Sequence, residues 1–166
     1  MNVLFLQTGG TIDKDYPRLT RGFAFEITMP AVKRILSRVS PIFNYTVKTV
    51  LRKDSTEITD KDRQNILAAC ISAAADKIIV THGTDTMIET AEVLARVPDK
   101  VIILTGAMRP EKFSDSDAPF NVGVAIGALQ VLRPGVYVAM NGRVYSWDKI
   151  ARDHTTGQFV EKGRKK

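Results

Sequence analysis

Short runs of apolar residues alternate with longer stretches of helical periodicity along this 166-residue chain. Four of the runs are predicted to be strands, because each is short and ends abruptly in a polar loop that contains glycine. They cover residues 2–7, 77–80, 101–104 and 135–140, and a fifth strand is predicted over residues 45–51. Continuous apolar strands are typical of a parallel sheet that is covered by helices on both faces.

Four helices are predicted, over residues 28–39, 59–75, 86–96 and 119–132. Thr28 is a suitable N-cap for the first helix, and Pro30 follows early, where its missing N–H does no harm. One face of this helix carries Met29, Val32, Ile35, Leu36 and Val39. Thr59 and Asp62 have the spacing of a capping box, and Asp117 is a suitable cap for the fourth helix.

Strands that alternate with helices predict an α/β fold, here a doubly wound, flavodoxin-like three-layer domain with a mostly parallel sheet. The length favours one domain over residues 1–160, followed by a basic C-terminal tail at 161–166. The final stretch, 146–166, reads as irregular or weakly helical.

The net charge of +6 does not by itself indicate a nucleic-acid-binding protein. Four of the positive charges lie in residues 162–166, which leaves +2 on the remainder, and no basic patch interleaved with aromatic residues appears. No apolar stretch has the roughly 20 residues of a membrane span, and the short N-terminal apolar run does not resemble a secretory signal. We therefore expect a cytoplasmic protein with no membrane partner.

Cysteine and histidine are too scarce for a metal site or a disulfide. The one cysteine, Cys70, lies in an alanine-rich helical segment and is interpreted as a small buried residue. The two histidines are not spaced as a ligand pair, so no metal is expected. His82, in a strand-end loop, is interpreted as structural.

The strand-end loops carry the candidate chemistry, since ligands bind outside the carboxyl ends of parallel strands. The first loop is Thr8-Gly9-Gly10-Thr11-Ile12, whose glycine spacing matches neither a dinucleotide fingerprint nor a phosphate loop. A threonine hydroxyl can be a nucleophile, or it can bond its own backbone. Asp85 can hold a cationic group or cap the next helix. Tyr16 belongs to a lid over the glycine turn, at 13–22, or is a half-buried loop aromatic.

Two of these loops, Thr8–Ile12 and His82–Thr86, resemble the two signature motifs of the bacterial-type L-asparaginases, which are amidohydrolases that use threonine. The segments 106–110 and 117–123 are also similar to that family, and the order of the motifs agrees. The chain stops where the family's second domain begins, so it is most similar to the small single-domain asparaginases. The resemblance implies hydrolysis of L-asparagine, with a possible side activity on L-glutamine and without a cofactor.

The resemblance also implies roles for individual residues. Thr11 matches the nucleophile, Tyr16 the lid tyrosine that positions it, and Thr84 the second catalytic threonine. Asp85 matches the aspartate that binds the substrate α-amino group, and Ser55 the serine that holds the α-carboxylate. The implied substrate-binding set is Gly10, Ser55, Thr56, Gly83, Asp85 and Ala107.

The chain departs from the family at one catalytic position. The family has a lysine beside Thr84 and Asp85, and a gap-free count places Arg152 there. An arginine cannot act as a general base, although it can polarise Thr84 or pair with Asp85. Lys149 is a possible substitute, one turn earlier if the segment is helical. We expect an asparaginase of altered or reduced activity.

Other functions stay open at this point. The main alternative is a catalytically weak or inactive module that binds an amino acid. A flavin or nucleotide domain, or a subunit acting on amidated RNA, are weaker alternatives. Because the missing second domain leaves the site open, a homo-oligomer is the expected way to cover it.

Overall fold

A computed structural model describes residues 1–17, 25–153 and 155–163 of the chain. Its central sheet has six strands, β1 (Asn2–Gly9), β4 (Asn44–Lys53), β5 (Lys77–Thr81), β6 (Val101–Thr105), β7 (Gly135–Met140) and β8 (Arg143–Ser146). Their order across the sheet is β4-β1-β5-β6-β7-β8. The first five are parallel, and β8 runs antiparallel to β7 at the edge.

Four α-helices cover the two faces of this sheet, namely α1 (Ala31–Val39), α2 (Asp60–Ile71), α3 (Met87–Leu94) and α4 (Ala118–Val131). Helices α2 and α3 pack on one face and α1 and α4 on the other, so that each face forms its own apolar core. The alternation of side chains along a strand divides β1 between the two cores, with Leu4 and Leu6 facing one and Val3 and Phe5 the other. The predicted doubly wound, three-layer α/β fold is confirmed.

The register of the central strands brings their carboxyl ends to one level. Gln7 on β1 lies beside Thr81 on β5, and Thr81 lies beside Thr105 on β6. The loops that follow these strands therefore begin side by side, as ligand-binding loops do in open parallel sheets.

The start of α1 differs from the prediction. Pro30, not Thr28, occupies the N-cap position, and the helix begins at Ala31. The backbone of Thr28 is used elsewhere, since its N–H bonds to the Asp13 carbonyl and its carbonyl accepts the Gln7 side chain. Val32, Ile35 and Leu36 are buried as predicted, whereas Met29 and Val39 are exposed.

The capping box of α2 is confirmed, because Thr59 accepts from the Asp62 backbone while the Asp62 carboxylate accepts from the Thr59 backbone. The helix itself is shorter than predicted and ends at Ile71.

The prediction for the C-terminal stretch was wrong. After β8 comes a one-turn 3-10 helix, Trp147–Lys149, followed by the antiparallel pair β9 (Ile150–Arg152) and β10 (Phe159–Glu161). Ile150 and Phe159 are buried against the sheet, and this contact fixes the hairpin. Two further short strands, β2 (Lys14–Asp15) and β3 (Glu26–Ile27), pair with each other near α1. Residues 164–166 of the predicted tail lie outside the described part of the chain.

No helix within the described ranges is long and apolar enough to cross a membrane.

Candidate active site

The glycine turn after β1 is shaped by close backbone contacts. Gly9 and Gly10 have φ angles of 110° and 84°, which side chains rarely tolerate. A Cβ on Gly10 would lie 2.3 Å from the Cα of Gly83, so the first and third strand-end loops touch through their glycines. The Gly10 N–H donates to the Lys53 carbonyl at 2.9 Å, which joins the loop after β4 to the same point.

Ser55 connects the loops after β4 and β5. It is buried, and its hydroxyl oxygen accepts from the Asp85 N–H at 3.2 Å. Its carbonyl accepts from the Thr86 hydroxyl at 2.7 Å. A Cβ on Gly83 would meet the Ser55 side chain at 2.6 Å, so glycine is needed for this approach. Thr56, the next residue, is exposed, and its hydroxyl donates to the Asp54 carboxylate.

Most threonines at the strand ends have structural partners. The Thr8 hydroxyl donates to the Thr81 carbonyl at 2.9 Å, and the Thr105 hydroxyl donates to the Ala139 carbonyl at 2.8 Å. By contrast, the hydroxyls of Thr11 and Thr84 have no hydrogen-bond partner among the described residues. These two hydroxyls are therefore available to a ligand.

Thr11 begins a one-turn 3-10 helix, Thr11–Asp13, and the two residues after Thr11 anchor this turn to the rest of the protein. The Ile12 carbonyl accepts from the Glu111 N–H at 3.2 Å, and the Glu111 carboxylate pairs with Arg34 at 2.5 Å. Asp13 is fully buried, and one carboxylate oxygen accepts from the Ala31 N–H at 2.7 Å. Burial raises the pKa of Asp13 from 3.8 to about 6.

His82 is fully buried beneath the same loops. Its Nδ1 lies 2.7 Å from the Gly83 carbonyl and its Nε2 lies 2.9 Å from the Thr90 hydroxyl. Since a carbonyl accepts only, Nδ1 carries the proton and Nε2 accepts from Thr90. Burial lowers the pKa of His82 to about 4, so the ring is neutral at pH 7. Both nitrogens are engaged, which agrees with the structural interpretation.

Arg152 reaches Asp85, as the gap-free count predicts. Its Nη1 lies 2.7 Å from the Asp85 carboxylate, while its Nε donates to the Gly157 carbonyl at 3.2 Å. Lys149 is exposed in the 3-10 turn before β9, so the helical spacing that would bring it alongside Arg152 is absent. Arg152, rather than Lys149, is the cation beside Asp85.

The loop after β6 contributes backbone to the site. Ala107 is buried, and the preceding Gly106 packs so closely on His82 that a Cβ would lie 2.3 Å from the His82 carbonyl. The Asp117 carboxylate accepts from the backbone N–H groups of Met108 and Arg109, each at 3.0 Å. Asp117 stands at the N-cap of α4 as predicted, but its side chain caps this loop rather than the helix.

Asn121 was missed by sequence reasoning. It is buried on α4, and its amide donates to the Gly106 carbonyl at 3.0 Å and to Asp117 at 2.8 Å. Its carbonyl oxygen accepts from the Asn141 N–H in the β7–β8 turn. A polar amide in the first turns of a mostly apolar helix was the signal. The β7–β8 loop, predicted to bind ligand, is a tight hairpin turn that reaches the site through Asn121.

Tyr16 packs on an aromatic neighbour. The residue is 67% exposed, and the centre of its ring lies 5.4 Å from that of Phe25, which in turn lies 6.0 Å from that of Phe113. Within the described residues, Tyr16 makes no hydrogen bond to Thr11. Residues 18–22 of the predicted lid lie outside the described part of the chain.

The sequence and the architecture are similar to those of known asparaginases. A glutaminase-asparaginase from Acinetobacter glutaminasificans is 32% identical over 169 residues, which cover 94% of this chain and 50% of that protein. The thermostable L-asparaginase from Thermococcus kodakarensis superposes with a TM-score of 0.84 at 30% identity, covering 97% of this chain and 51% of that one. A probable cytoplasmic L-asparaginase from Campylobacter jejuni gives a TM-score of 0.80 at 25% identity, with coverages of 98% and 53%.

The chain thus spans about half the length of the curated relatives it matches. The sequence model of the asparaginase N-terminal domain matches residues 2–159, which is nearly all of the chain. The chain therefore belongs to the asparaginase family, and it corresponds to the N-terminal domain of that family.

Proposed function

We propose that this chain is an amidohydrolase that converts L-asparagine and water to L-aspartate and ammonia, with L-glutamine as a side substrate. The observation that carries the proposal is the pair of hydroxyls, Thr11 and Thr84, that have no partner among the described residues. They stand on adjoining loops, which touch at Gly10 and Gly83, in a chain of the asparaginase family.

In the proposed reaction, the Thr11 oxygen attacks the side-chain amide carbon and the C–N bond breaks as the nitrogen is protonated. Ammonia departs, and Thr11 remains as an acyl-enzyme ester. Water then hydrolyses this ester, which releases the free acid and regenerates the threonine. Such chemistry requires hydrogen-bond donors at the developing oxyanion, and the backbone around Ala107 is assigned to this end of the substrate.

The remaining contacts are assigned to the ends of the amino acid. The Ser55 hydroxyl is assigned to donate a hydrogen bond to the α-carboxylate, because its oxygen already accepts from the Asp85 N–H. Asp85 takes the α-ammonium, while Gly10, Gly83 and Thr56 line the pocket.

Tyr16 is assigned to position the Thr11 hydroxyl. In the structure its ring contacts that of Phe25.

Arg152 supports a second candidate, a module that binds an amino acid without hydrolysing it. A guanidinium cannot accept the proton of a threonine, and both nitrogens of His82 are engaged. The described part of the site thus lacks a neutral nitrogen base. In the first proposal, Arg152 polarises its surroundings and orients Asp85 instead of acting as a base.

Ammonia release from L-asparagine and L-glutamine tests both candidates, using the wild type, Thr11→Ala and Thr46→Ala. Thr46 is an exposed threonine on β4 and serves as the matched control. We expect Thr11→Ala to lower turnover by about a thousandfold or more, as loss of a nucleophile does, and Thr46→Ala to leave it unchanged.

Unchanged release by Thr11→Ala would refute the assignment of the nucleophile. If the folded wild type releases no ammonia but is thermally stabilised by L-asparagine, the binding module is correct.

A further inference from the structure

Arg152 has three partners in the site. Its guanidinium contacts Asp85 at 2.7 Å and the Gly157 carbonyl at 3.2 Å, and it lies 5.8 Å from the centre of the Phe159 ring. Phe159 is buried and faces Arg152 across the β9–β10 pairing. The side chain of Arg152 is only 25% exposed. The carboxylate, the carbonyl and the aromatic ring all favour the position of the cation beside Asp85.

This arrangement places a permanent positive charge beside Asp85, because a guanidinium does not lose its proton. A lysine at this position can become neutral when it is desolvated. The negative charge of Asp85 would then be free to pair with a ligand. Carboxylates on the adjoining loops are also engaged. Asp54 pairs with Lys14 at 2.7 Å, and Asp117 accepts from two backbone N–H groups. Of these carboxylates, an α-ammonium therefore meets only the Asp85 oxygen that Arg152 leaves free, next to the positive charge of the guanidinium.

We propose that the site accepts monoamides of dicarboxylic acids that lack an α-ammonium group, of which succinamate is the simplest, at least as well as it accepts L-asparagine. This inference rests on the proposed function, since it names the substrate class of the same site. Succinamate has the amide and the carboxylate of L-asparagine at the same spacing. Its carboxylate can take the place at Ser55 that is assigned to the carboxylate of L-asparagine, and it carries no ammonium to be repelled by the guanidinium.

The reaction is otherwise that proposed for L-asparagine. Thr11 forms an ester with the succinyl group as the C–N bond breaks and ammonia leaves, and water then releases succinate and regenerates the threonine.

The test compares kcat/KM for ammonia release from succinamate and from L-asparagine, in the wild type, Arg152→Met and Arg96→Met. Arg96 is an exposed arginine after α3 and controls for loss of a surface charge. We expect succinamate to equal or exceed L-asparagine in the wild type. Removing the competing guanidinium in Arg152→Met shifts the ratio towards L-asparagine by about fivefold or more, a typical size for coupling between two competing ligands. Arg96→Met leaves the ratio unchanged.

A wild type that prefers L-asparagine by more than about fivefold would overturn the inference, as would an unaltered ratio in folded Arg152→Met. If Arg152→Met does not fold, the wild-type ratio alone decides.

If the folded wild type hydrolyses neither amide, the amidohydrolase proposal fails and calorimetry with the two amides decides the inference. Tighter binding of succinamate supports it, whereas tighter binding of L-asparagine, or of neither amide, overturns it.

Discussion

Replacing Asp13 by asparagine should remove a pH-dependent loss of stability that originates directly behind Thr11. Asp13 is fully buried at the end of the Thr11–Asp13 turn. Burial is the largest cause of the raised pKa, and the Glu111 carboxylate adds to it. The Ala31 N–H, the Gln7 side chain and the Arg34 guanidinium oppose the increase without cancelling it.

The sign and the size of the effect follow from the two pKa values. The carboxyl group of the unfolded chain titrates near 3.8 and that of the folded protein near 6. The folded state thus binds the proton more tightly, and the free energy of unfolding falls as the pH rises through this window. The difference between the two pKa values corresponds to about 3 kcal/mol in the free energy of unfolding. This contribution to stability is present in full below pH 4 and is lost above pH 6.

Asparagine at this position keeps an oxygen that can accept from the Ala31 N–H, but it cannot ionise. The second carboxylate oxygen of Asp13 has no hydrogen-bond partner among the described residues. An amide nitrogen placed there costs about 1–3 kcal/mol at every pH. The informative quantity is therefore the pH dependence of the difference between Asp13→Asn and the wild type, and not its value at one pH.

Urea unfolding at several pH values between 4 and 7 measures this difference. We expect Asp13→Asn to gain about 3 kcal/mol relative to the wild type between the two ends of the range. Asp99→Asn is the matched control, because Asp99 is exposed and its φ angle of 55° suits asparagine. His82 also titrates in this range, but it is present in all three proteins and its contribution cancels. A constant difference between Asp13→Asn and the wild type would refute the reasoning.

Two further predictions concern the loops themselves. His82, whose pKa is lowered to about 4 by burial, should titrate in an NMR experiment with a midpoint well below 5, and the stability that depends on its neutral form should be lost as the pH falls from 6.5 towards 4. A midpoint between 6 and 7 would contradict its burial, since about 6.5 is the value of an unperturbed histidine. Gly10→Ala should destabilise the fold by several kcal/mol or prevent folding, because its Cβ would lie 2.3 Å from Gly83. Gly123→Ala, in α4 with no atom within 4 Å of the new Cβ, should be neutral or stabilise by about 1 kcal/mol in the same urea assay.

The sheet and the edge that carries the candidate site could be predicted because their signals are local. Each central strand is a continuous apolar run, and the pair Gly9-Gly10 marks the turn that follows β1. Parallel strands have their carboxyl ends at one edge, so the meeting of Gly10, Ser55 and Gly83 follows from topology alone. The contact between Arg152 and Asp85 was reached by counting along the chain, with no knowledge of the hairpin that produces it.

The C-terminal hairpin could not be predicted because its strands are too short to show a period. Strands β9 and β10 have three residues each, and Ile150 and Phe159 are recognisable as core residues only once the sheet beneath them is known. Tertiary contacts also decided the start of α1, where Thr28 was the better cap by residue type. Its backbone instead bonds Asp13 and Gln7, which holds it outside the helix.

The polar residues behind the site were missed for a related reason. Asp13 and Glu111 are charged residues in loops, and such residues are usually solvated. Here the Ile12 carbonyl binds the Glu111 backbone, and Arg34 reaches the Glu111 carboxylate, so that both carboxylates are buried. Only the fold brings these distant segments together.

The geometry around Arg152 also limits how the Thr11 proton can leave. Among the described residues of the site, His82 is neutral but enclosed, with both nitrogens bonded, and Arg152 has no lone pair to offer. The Asp85 side chain is 53% exposed, and only one of its oxygens is bonded to Arg152. In the proposed reaction, the acceptors that remain for the Thr11 proton are this second oxygen of Asp85 and solvent. Both are weaker bases than a neutral amine, so we expect proton transfer from Thr11 to be the step that is slowed by arginine in place of the family's lysine.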